Sequence, residues 1–330
     1  METYALITGG AGFIGSHIAI NLLQTKKVGK VVLLDNLSSF VNTTNPGYVD
    51  YRKYRLKGYE SDIILERGDT KYFSVVSEIL EKYQPKLVFH MAALPLAKIQ
   101  NLNSEEAKSG SVDSTSFLIE KLGQMRKKPG FNTERFVYAS SSMVYGNLNG
   151  EFFAEGSNTE PVEIYGTMKL AGEIVTRGLA NFYDIPFTII RPSAVYGPTD
   201  MNRRVVQIFI EKAIKGETID VQGADERLDF TNVRDVARGF VEAATNANAV
   251  GETFNITNGN SRTLLELAEC IKSHFPQVKI NVSERDSFRP RRGTLSTEKA
   301  RLKIGYEPTY TLEEGISEYV KFLTNIQNNQ

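Results

Sequence analysis

Three glycines in the opening segment TGGAGFIGSH, Gly9, Gly12 and Gly15, constrain this chain more than any other feature. They follow an apolar run, Tyr4 to Thr8, and lead into a helical pattern from Gly12 to Thr25. In that strand, turn and helix context the missing side chains permit a tight turn, close backbone approach to a pyrophosphate and close helix packing. The helix N-terminus, where Phe13 and Ile14 follow Gly12, attracts phosphate charge. The expectation is a dinucleotide cradle.

Apolar runs recur at Val31 to Asp35, Ile63 to Arg67, Leu87 to His90, Phe136 to Ser140 and Phe187 to Arg191, with helix candidates at Lys71 to Gln84, Glu105 to Lys127 and Tyr165 to Tyr183. Strands alternating with crossover-length helices predict an α/β chain with a doubly wound, parallel, Rossmann-type sheet. Beyond Arg191 the rhythm breaks into shorter pieces joined by Gly-, Pro- and Arg-rich loops such as Asp225 to Asp229 and Ser287 to Gly293, which predicts a smaller C-terminal α+β substrate lobe. The expected division is residues 1–191 for the dinucleotide-binding domain and 192–330 mainly for the lobe, with some chain returning to the first domain. Asn36 to Glu60 reads as a long loop or surface insert, and the Asn/Gln-rich tail after Thr324 as a frayed terminus.

Asp35 ends the second strand, where a carboxylate accepts hydrogen bonds from adenosine ribose hydroxyls and repels a 2′-phosphate. No arginine or lysine stands at positions 35–38, so NAD is expected rather than NADP. Asp69, after the third strand, is a weaker candidate for contacting the adenine and taken alone reads as a helix N-cap. Asn36, Ser38, Thr70 and Ala92 complete the candidate cofactor set. The 39 basic residues cancel the 39 acidic ones, which removes any whole-molecule attraction to nucleic acid or an anionic membrane. No apolar run approaches the ~20 residues of a membrane span. Cys270 is the only cysteine, which excludes an internal disulfide and makes a reducing cytoplasm the expected setting. His17, His90 and His274 lack the mutual spacing of metal ligands, so no metal site is expected; His90 is assigned a structural part at a strand end.

Tyr165 and Lys169 lie four apart, so a helix beginning there stacks them on one face. An ammonium near the phenol favours the phenolate, lowering a tyrosine pKa of ~10 toward working pH so that it can take a proton from a substrate hydroxyl. Ser140, Ser141 and Ser142 follow an apolar strand, at the carboxyl end where ligands collect in open sheets.

With these residues in view, the chain resembles an extended short-chain dehydrogenase/reductase of the NAD-dependent epimerase/dehydratase family over nearly its whole length. The matching pieces are TGGAGFIGSH, DNLS from Asp35, GD at Gly68, HMAA from His90, SSSMVYG from Ser140, YGTMK from Tyr165 and RPSAVYGP from Arg191. The resemblance implies an enzyme acting on a nucleotide-diphosphate sugar, with Tyr165 as base, Lys169 tuning it and binding the nicotinamide ribose, and Ser141 aiding proton transfer. It also implies a homodimer through the helices at Glu105 to Lys127 and Tyr165 to Tyr183.

Dehydratases that this sequence resembles carry an acid two positions before the tyrosine of VYG, to eliminate water after oxidation. Met143 stands there, a thioether that exchanges no proton, with Ser142 beside it as a weak substitute. Dehydration is therefore disfavoured. The readings that remain are a sugar nucleotide 4-epimerase passing through a transient 4-keto intermediate and a 4-dehydrogenase that releases the keto sugar; a non-catalytic NAD-binding regulator is a third. Two marks of the galactose epimerases are missing: Pro95 replaces a lysine, and Leu228 stands where an arginine binds the diphosphate, leaving Arg227 one residue earlier. Arg292 and then Arg289, in the segment Arg289-Pro290-Arg291-Arg292, lie where the family places a diphosphate-binding arginine, a role that suits the guanidinium fork. Arg204, beside Arg203, completes the candidate substrate set with Ser141, Ser142, Met143 and Tyr165.

Overall fold

A computed structural model describes residues 2–38, 50–93, 103–148, 152–286 and 289–328 of the chain. β1 (Tyr4–Thr8) opens it and α1 (Phe13–Gln24) returns it to β2 (Lys30–Asp35). After a single helical turn α2 (Arg52–Arg55), the unit repeats as β3 (Ile63–Arg67), α3 (Phe73–Tyr83) and β4 (Leu87–His90). The helix expected over Glu105 to Lys127 is α4 (Ser104–Lys108) and α5 (Ser114–Arg126), joined by a π-helical turn at Ser109–Asp113. Ser114 Oγ, at the end of that turn, donates to the Gly110 carbonyl at 2.9 Å and lies 3.2 Å from His90 Nε2. β5 (Arg135–Ala139), a two-residue β6 (Phe152–Phe153), α6 (Ile164–Tyr183) and β7 (Phe187–Pro192) complete the regular part.

Shorter elements follow: β8 (Val195–Tyr196), α7 (Val205–Ile214), β9 (Ile219–Gln222), β10 (Arg227–Leu228), β11 (Thr231–Asn232) and α8 (Val233–Thr245). The last are β12 (Thr253–Ile256), β13 (Arg262–Thr263), α9 (Leu264–Lys272), β14 (Ile280–Ser283), β15 (Thr294–Leu295), α10 (Glu298–Ile304) and α11 (Leu312–Asn328).

Seven strands form one parallel sheet in the order β12-β7-β5-β4-β1-β2-β3. The alternation along each strand divides the core. Ala5, Ile7, Val31 and Leu33 face a layer built from Ile18 and Leu22 of α1, Val236 and Phe240 of α8, and Ala300 of α10. Leu6, Val32 and Leu34 face Val76 and Leu80 of α3, Leu118 and Leu122 of α5, and Ala180 of α6. Each fully buried leucine or isoleucine contributes about 1.5–3 kcal/mol. The strand order reverses between β1 and β4, and an open parallel sheet receives its ligands at the carboxyl ends of such a pair.

The seventh strand, β12, follows the helix α8 but has polar residues at two of its four positions, Thr253 and Asn255, so no apolar run marks it. It nevertheless pairs with β7 in register, Phe254 opposite Ile190. A second core gathers Phe209 and Ile210 of α7, Ile219 and Val221 of β9, Leu267 and Ile271 of α9, and Ile316 and Tyr319 of α11. Tyr51, from the segment expected to be a loop or insert, is buried in this second core, with its ring 5.5 Å from that of Phe322. Through Asn328 the tail expected to fray is helical: α11 runs to that residue, and Ile326 stays buried against the same core.

Candidate active site

The carboxyl ends of β1, β2, β4, β5 and β7 open into one cleft of about 1130 Å³. That exceeds the ~300–1,000 Å³ of an ordinary small-molecule pocket, leaving room for two ligands side by side. Gly9, Gly12, Phe13, Ile14, Gly15, Asp35, Asn36, Ser38, Asp69, Thr70, Ala92 and Lys169 of the expected cofactor set all line it.

At the cofactor end the backbone does most of the shaping. Gly9 has φ +65°, and a Cβ there would stand 2.9 Å from Ala92 backbone; a Cβ on Gly15 would stand 2.7 Å from the Gly9 carbonyl. The first amides of α1 carry no side-chain cap, so they face the cleft as anion donors. Asp35 Oδ2 accepts from Ala11 N at 3.0 Å and Oδ1 from Leu37 N at 2.8 Å, which fixes the carboxylate at the edge of the glycine loop. Asp69 is not the N-cap of α3, which is Tyr72; it accepts instead from Asn36 Nδ2 at 3.0 Å. These residues fit a dinucleotide: a phosphate cradle with no space for side chains, and a carboxylate placed for a ribose.

The catalytic candidates converge in the middle of the cleft. Glu163 caps α6, accepting from Tyr165 N at 2.7 Å and Gly166 N at 2.6 Å, and so sets where the helix begins. Ser141 caps the following turn, Ser142–Tyr145, by accepting from Met143 N at 3.2 Å. Burial raises the Tyr165 pKa; Arg204 opposes it, Glu163 adds to it, and the Ser141 hydroxyl and Arg292 oppose it, with a net rise. The expected depression of the phenol by Lys169 is therefore absent here. The Lys169 ammonium donates to the Ala139 carbonyl at 2.6 Å and lies 5.9 Å from the centre of the Tyr165 ring. Burial pushes its own pKa down to about 7, against the pull of Glu173, so near neutrality it carries only part of a charge.

At the far end Ser142, Arg204, Arg289 and Arg292 line the cleft. Arg292 Nη1 donates to Ser142 Oγ at 3.0 Å, and Nη2 touches the Met143 sulfur. Burial lowers the Arg292 pKa to about 10, with Glu163 and Tyr165 opposing. Asp229 anchors the segment that delivers this arginine, accepting from Leu295 N in β15 at 3.1 Å and from Asn258 N at 3.0 Å. Arg204 Nη1 donates to the Val195 carbonyl at 3.0 Å, while its buried Nε has no partner. Arg289 is exposed and pairs with Asp286 at 3.3 Å. Two expected substrate residues do not line the cleft: Met143, buried beneath Ser142, and Arg227, whose guanidinium turns to the Ser261 hydroxyl at 3.0 Å and carbonyl at 2.6 Å. Pro95 lies outside the described residues.

Arg55 also lines the cleft, from a segment whose sequence left its structure undetermined. Its buried guanidinium donates to the Ala11 carbonyl in the glycine loop at 2.6 Å and to the Thr199 carbonyl at 2.7 Å. Nothing local in Tyr51-Arg52-Lys53-Tyr54-Arg55 signals that reach of 144 residues along the chain. Arg52 approaches Leu37 as well, but its guanidinium is held by Asp50 at 2.7 Å. Neither arginine is thus presented for a 2′-phosphate.

The profile of the NAD dependent epimerase/dehydratase family matches residues 5–257. The chain is 29% identical over 337 residues to a UDP-glucose 4-epimerase of Mycolicibacterium smegmatis, covering 97% of this chain and 98% of that one. It is 27% identical to a trifunctional UDP-glucose 4,6-dehydratase, 3,5-epimerase and reductase of Arabidopsis thaliana, over 97% of this chain and 46% of the relative. The chain thus spans about half the length of that curated plant protein. A UDP-glucose 4-epimerase of Thermotoga maritima, solved with UDP-glucose, superposes with a TM-score of 0.85 at 25% identity, covering 98% of this chain and 100% of the other.

Proposed function

We propose that this chain, which belongs to the NAD dependent epimerase/dehydratase family, is a nucleotide-sugar 4-epimerase with Tyr165 as the base at the sugar C4 hydroxyl. Membership makes it an NAD-dependent enzyme of the extended short-chain dehydrogenase/reductase type. Both epimerases and dehydratases stand among its relatives. The observation that carries the choice between them is Met143: a buried thioether against Arg292, where elimination of water requires an acid.

NAD, held in the cradle of the glycine loop and Asp35, would supply the reversible hydride acceptor for oxidation at the sugar carbon. The protein's own residues do the rest. Asp35 holds the ribose and the amides of α1 hold the pyrophosphate. Tyr165 removes the C4 hydroxyl proton and returns it after the sugar has turned over, and Ser141 bonds the reacting oxygen. Lys169, fixed to the Ala139 carbonyl, supplies positive charge beneath the phenol. Arg292, Arg289 and Arg204 hold the diphosphate. Arg227 is dropped from that set because its guanidinium is committed to Ser261.

The protein is further proposed to work as a cytoplasmic homodimer. α6 exposes Ile174 at 65% and Phe182 at 78%, an apolar face suited to a second copy, and Phe182→Glu is expected to halve the mass in solution. For the activity, purified enzyme is incubated with a panel of UDP-, dTDP- and GDP-sugars while isomers and nicotinamide absorbance are followed. The expected result is one new sugar isomer without net NADH. Accumulating NADH with free keto sugar would instead show a 4-dehydrogenase, loss of water a dehydratase, and silence with every sugar a regulator.

A further inference from the structure

Glu173 and Arg191 form a buried ion pair next to the catalytic groups that the reaction scheme above leaves without a part. Glu173 is 2% exposed and Arg191 4%. The guanidinium grips the carboxylate with two bonds, Nε to Oε1 at 2.8 Å and Nη2 to Oε2 at 2.7 Å. Burying two charges costs several kcal/mol per ion, so a pair retained in a core asks for a reason beyond stability.

The placement supplies one. Tyr165, Lys169 and Glu173 are successive i, i+4 neighbours on α6 and share one face. Lys169 donates to the carbonyl of Ala139, and Glu173 accepts from the hydroxyl of the next residue, Ser140, at 2.5 Å. Two adjacent bonds thus stitch the catalytic helix to the end of β5, one residue before Ser141. Arg191, from β7, carries the stitch further: its Nη1 donates to the Tyr145 hydroxyl at 3.0 Å, which in turn donates to Asn255 of β12 at 2.7 Å.

We propose that Glu173, held by Arg191, is a positioning residue for the reaction: it sets the spacing between Ser141 and Tyr165 and biases Lys169 toward its ammonium form beneath the phenol. This rests on the assignment of Tyr165 and Lys169 made above. Lys169 faces Tyr165 and Glu173 on its own helix, the Tyr138 ring at 5.2 Å and the Ala139 carbonyl on β5, and His90 on β4, whose pKa Lys169 helps to lower. His90 is neutral, with a pKa near 3, and both phenols sit above 10. Glu173 is therefore the one carboxylate among these groups that opposes the loss of the lysine's proton.

The test uses NAD-loaded enzyme with nitrogen-labelled lysine, titrated by NMR without sugar, together with the pH dependence of turnover. In Glu173→Gln the Lys169 proton is lost at lower pH than in the wild type. The turnover profile narrows, its alkaline limb moving down and its acid limb up, and kcat falls about tenfold or more while KM holds. Because Glu173→Gln leaves Arg191 charged and alone, a second variant, Glu173→Gln with Arg191→Met, removes both charges and restores packing. Recovered thermal stability with a Lys169 midpoint that stays low supports the positioning role. An unchanged Lys169 midpoint in both variants, or a double variant with wild-type kcat and profile, overturns it and leaves only a structural ion pair. Since the lysine titration needs no turnover, an enzyme that epimerises nothing yet shows the shift sinks the activity assignment alone.

Discussion

The two ends of the cleft are made of different materials. At the cofactor end, backbone amides and absent side chains shape the glycine loop within one continuous turn of chain, and the carboxylate of Asp35 is pinned against it by two amides. At the proposed sugar end, guanidinium groups arrive from separate segments, Arg204 ahead of α7 and Arg292 ahead of β15, whose partners among the described residues are neutral, while Arg289 pairs with Asp286. A site of the first kind tolerates almost no change in shape. A site of the second kind can be retuned one side chain at a time, which is how a fixed cofactor chemistry comes to serve different sugars.

The largest effect belongs to the junction between the two ends. Tyr165→Phe removes the proposed base and is expected to lower kcat by about 10³-fold or more with NAD still bound; retention of a tenth of the activity would move the chemistry elsewhere. Next, Gly15→Val forces atoms against the Gly9 carbonyl and should abolish NAD binding while leaving nucleotide-sugar binding measurable by calorimetry. If both ligands were lost together, the two ends would be one unit and the contrast would fail. At the sugar end Arg292→Ala should raise KM about 10- to 100-fold, the ~1.5–3 kcal/mol of a charged hydrogen bond, whereas Arg227→Ala should leave KM within about twofold.

The effect that touches stability rather than the reaction concerns the carboxyl end of the central strand β4, between the two ends of the cleft. His90 bridges Thr8 at 2.7 Å and Ser114 at 3.2 Å, and burial depresses its pKa from 6.5 to about 3. A histidine held neutral in the fold and protonated when unfolded adds stability that is complete above pH ~6.5 and fades as pH falls toward 3. The expected slope from this residue is up to about 1.4 kcal/mol per pH unit, seen as a flatter Tm-against-pH curve below 6.5 in His90→Gln.

What the sequence discloses follows the same contrast. The central-sheet strands from Tyr4 to Pro192 were legible to within about one residue because each is an apolar run in a strand and helix rhythm, and the glycine loop because its chemistry is local, whereas the two-residue β6 carried no such signal. Tyr165 and Lys169 could be paired because four residues make one helical turn, and Glu173 follows by the same count. Arg55 had no such signal, since its partners are fixed only when the chain is folded. The direction of Arg227 was equally hidden: a guanidinium one residue before Leu228, the place of a diphosphate-binding arginine in the galactose epimerases, reads as substrate-facing until Ser261 is seen to hold it. The phenol's upward pKa shift was missed because spacing reveals a neighbouring cation and says nothing of burial or of the carbonyl that draws the ammonium aside.

The edge strand β12 has a consequence for how the molecule comes into being. The sheet that carries the cofactor cradle is finished only by residues 253–256, and Asn255 on that strand ends the chain of bonds that reaches Glu173 on the catalytic helix. On a ribosome, the first 191 residues would therefore emerge with β7 as an unpaired, apolar edge, exposed until some sixty more have been added. Synthesis order and assembly order are out of step: the nucleotide-binding half is made first but must wait for the other half to close it. A chain cut after the regular βα units would be left with a sticky border rather than a working cofactor domain.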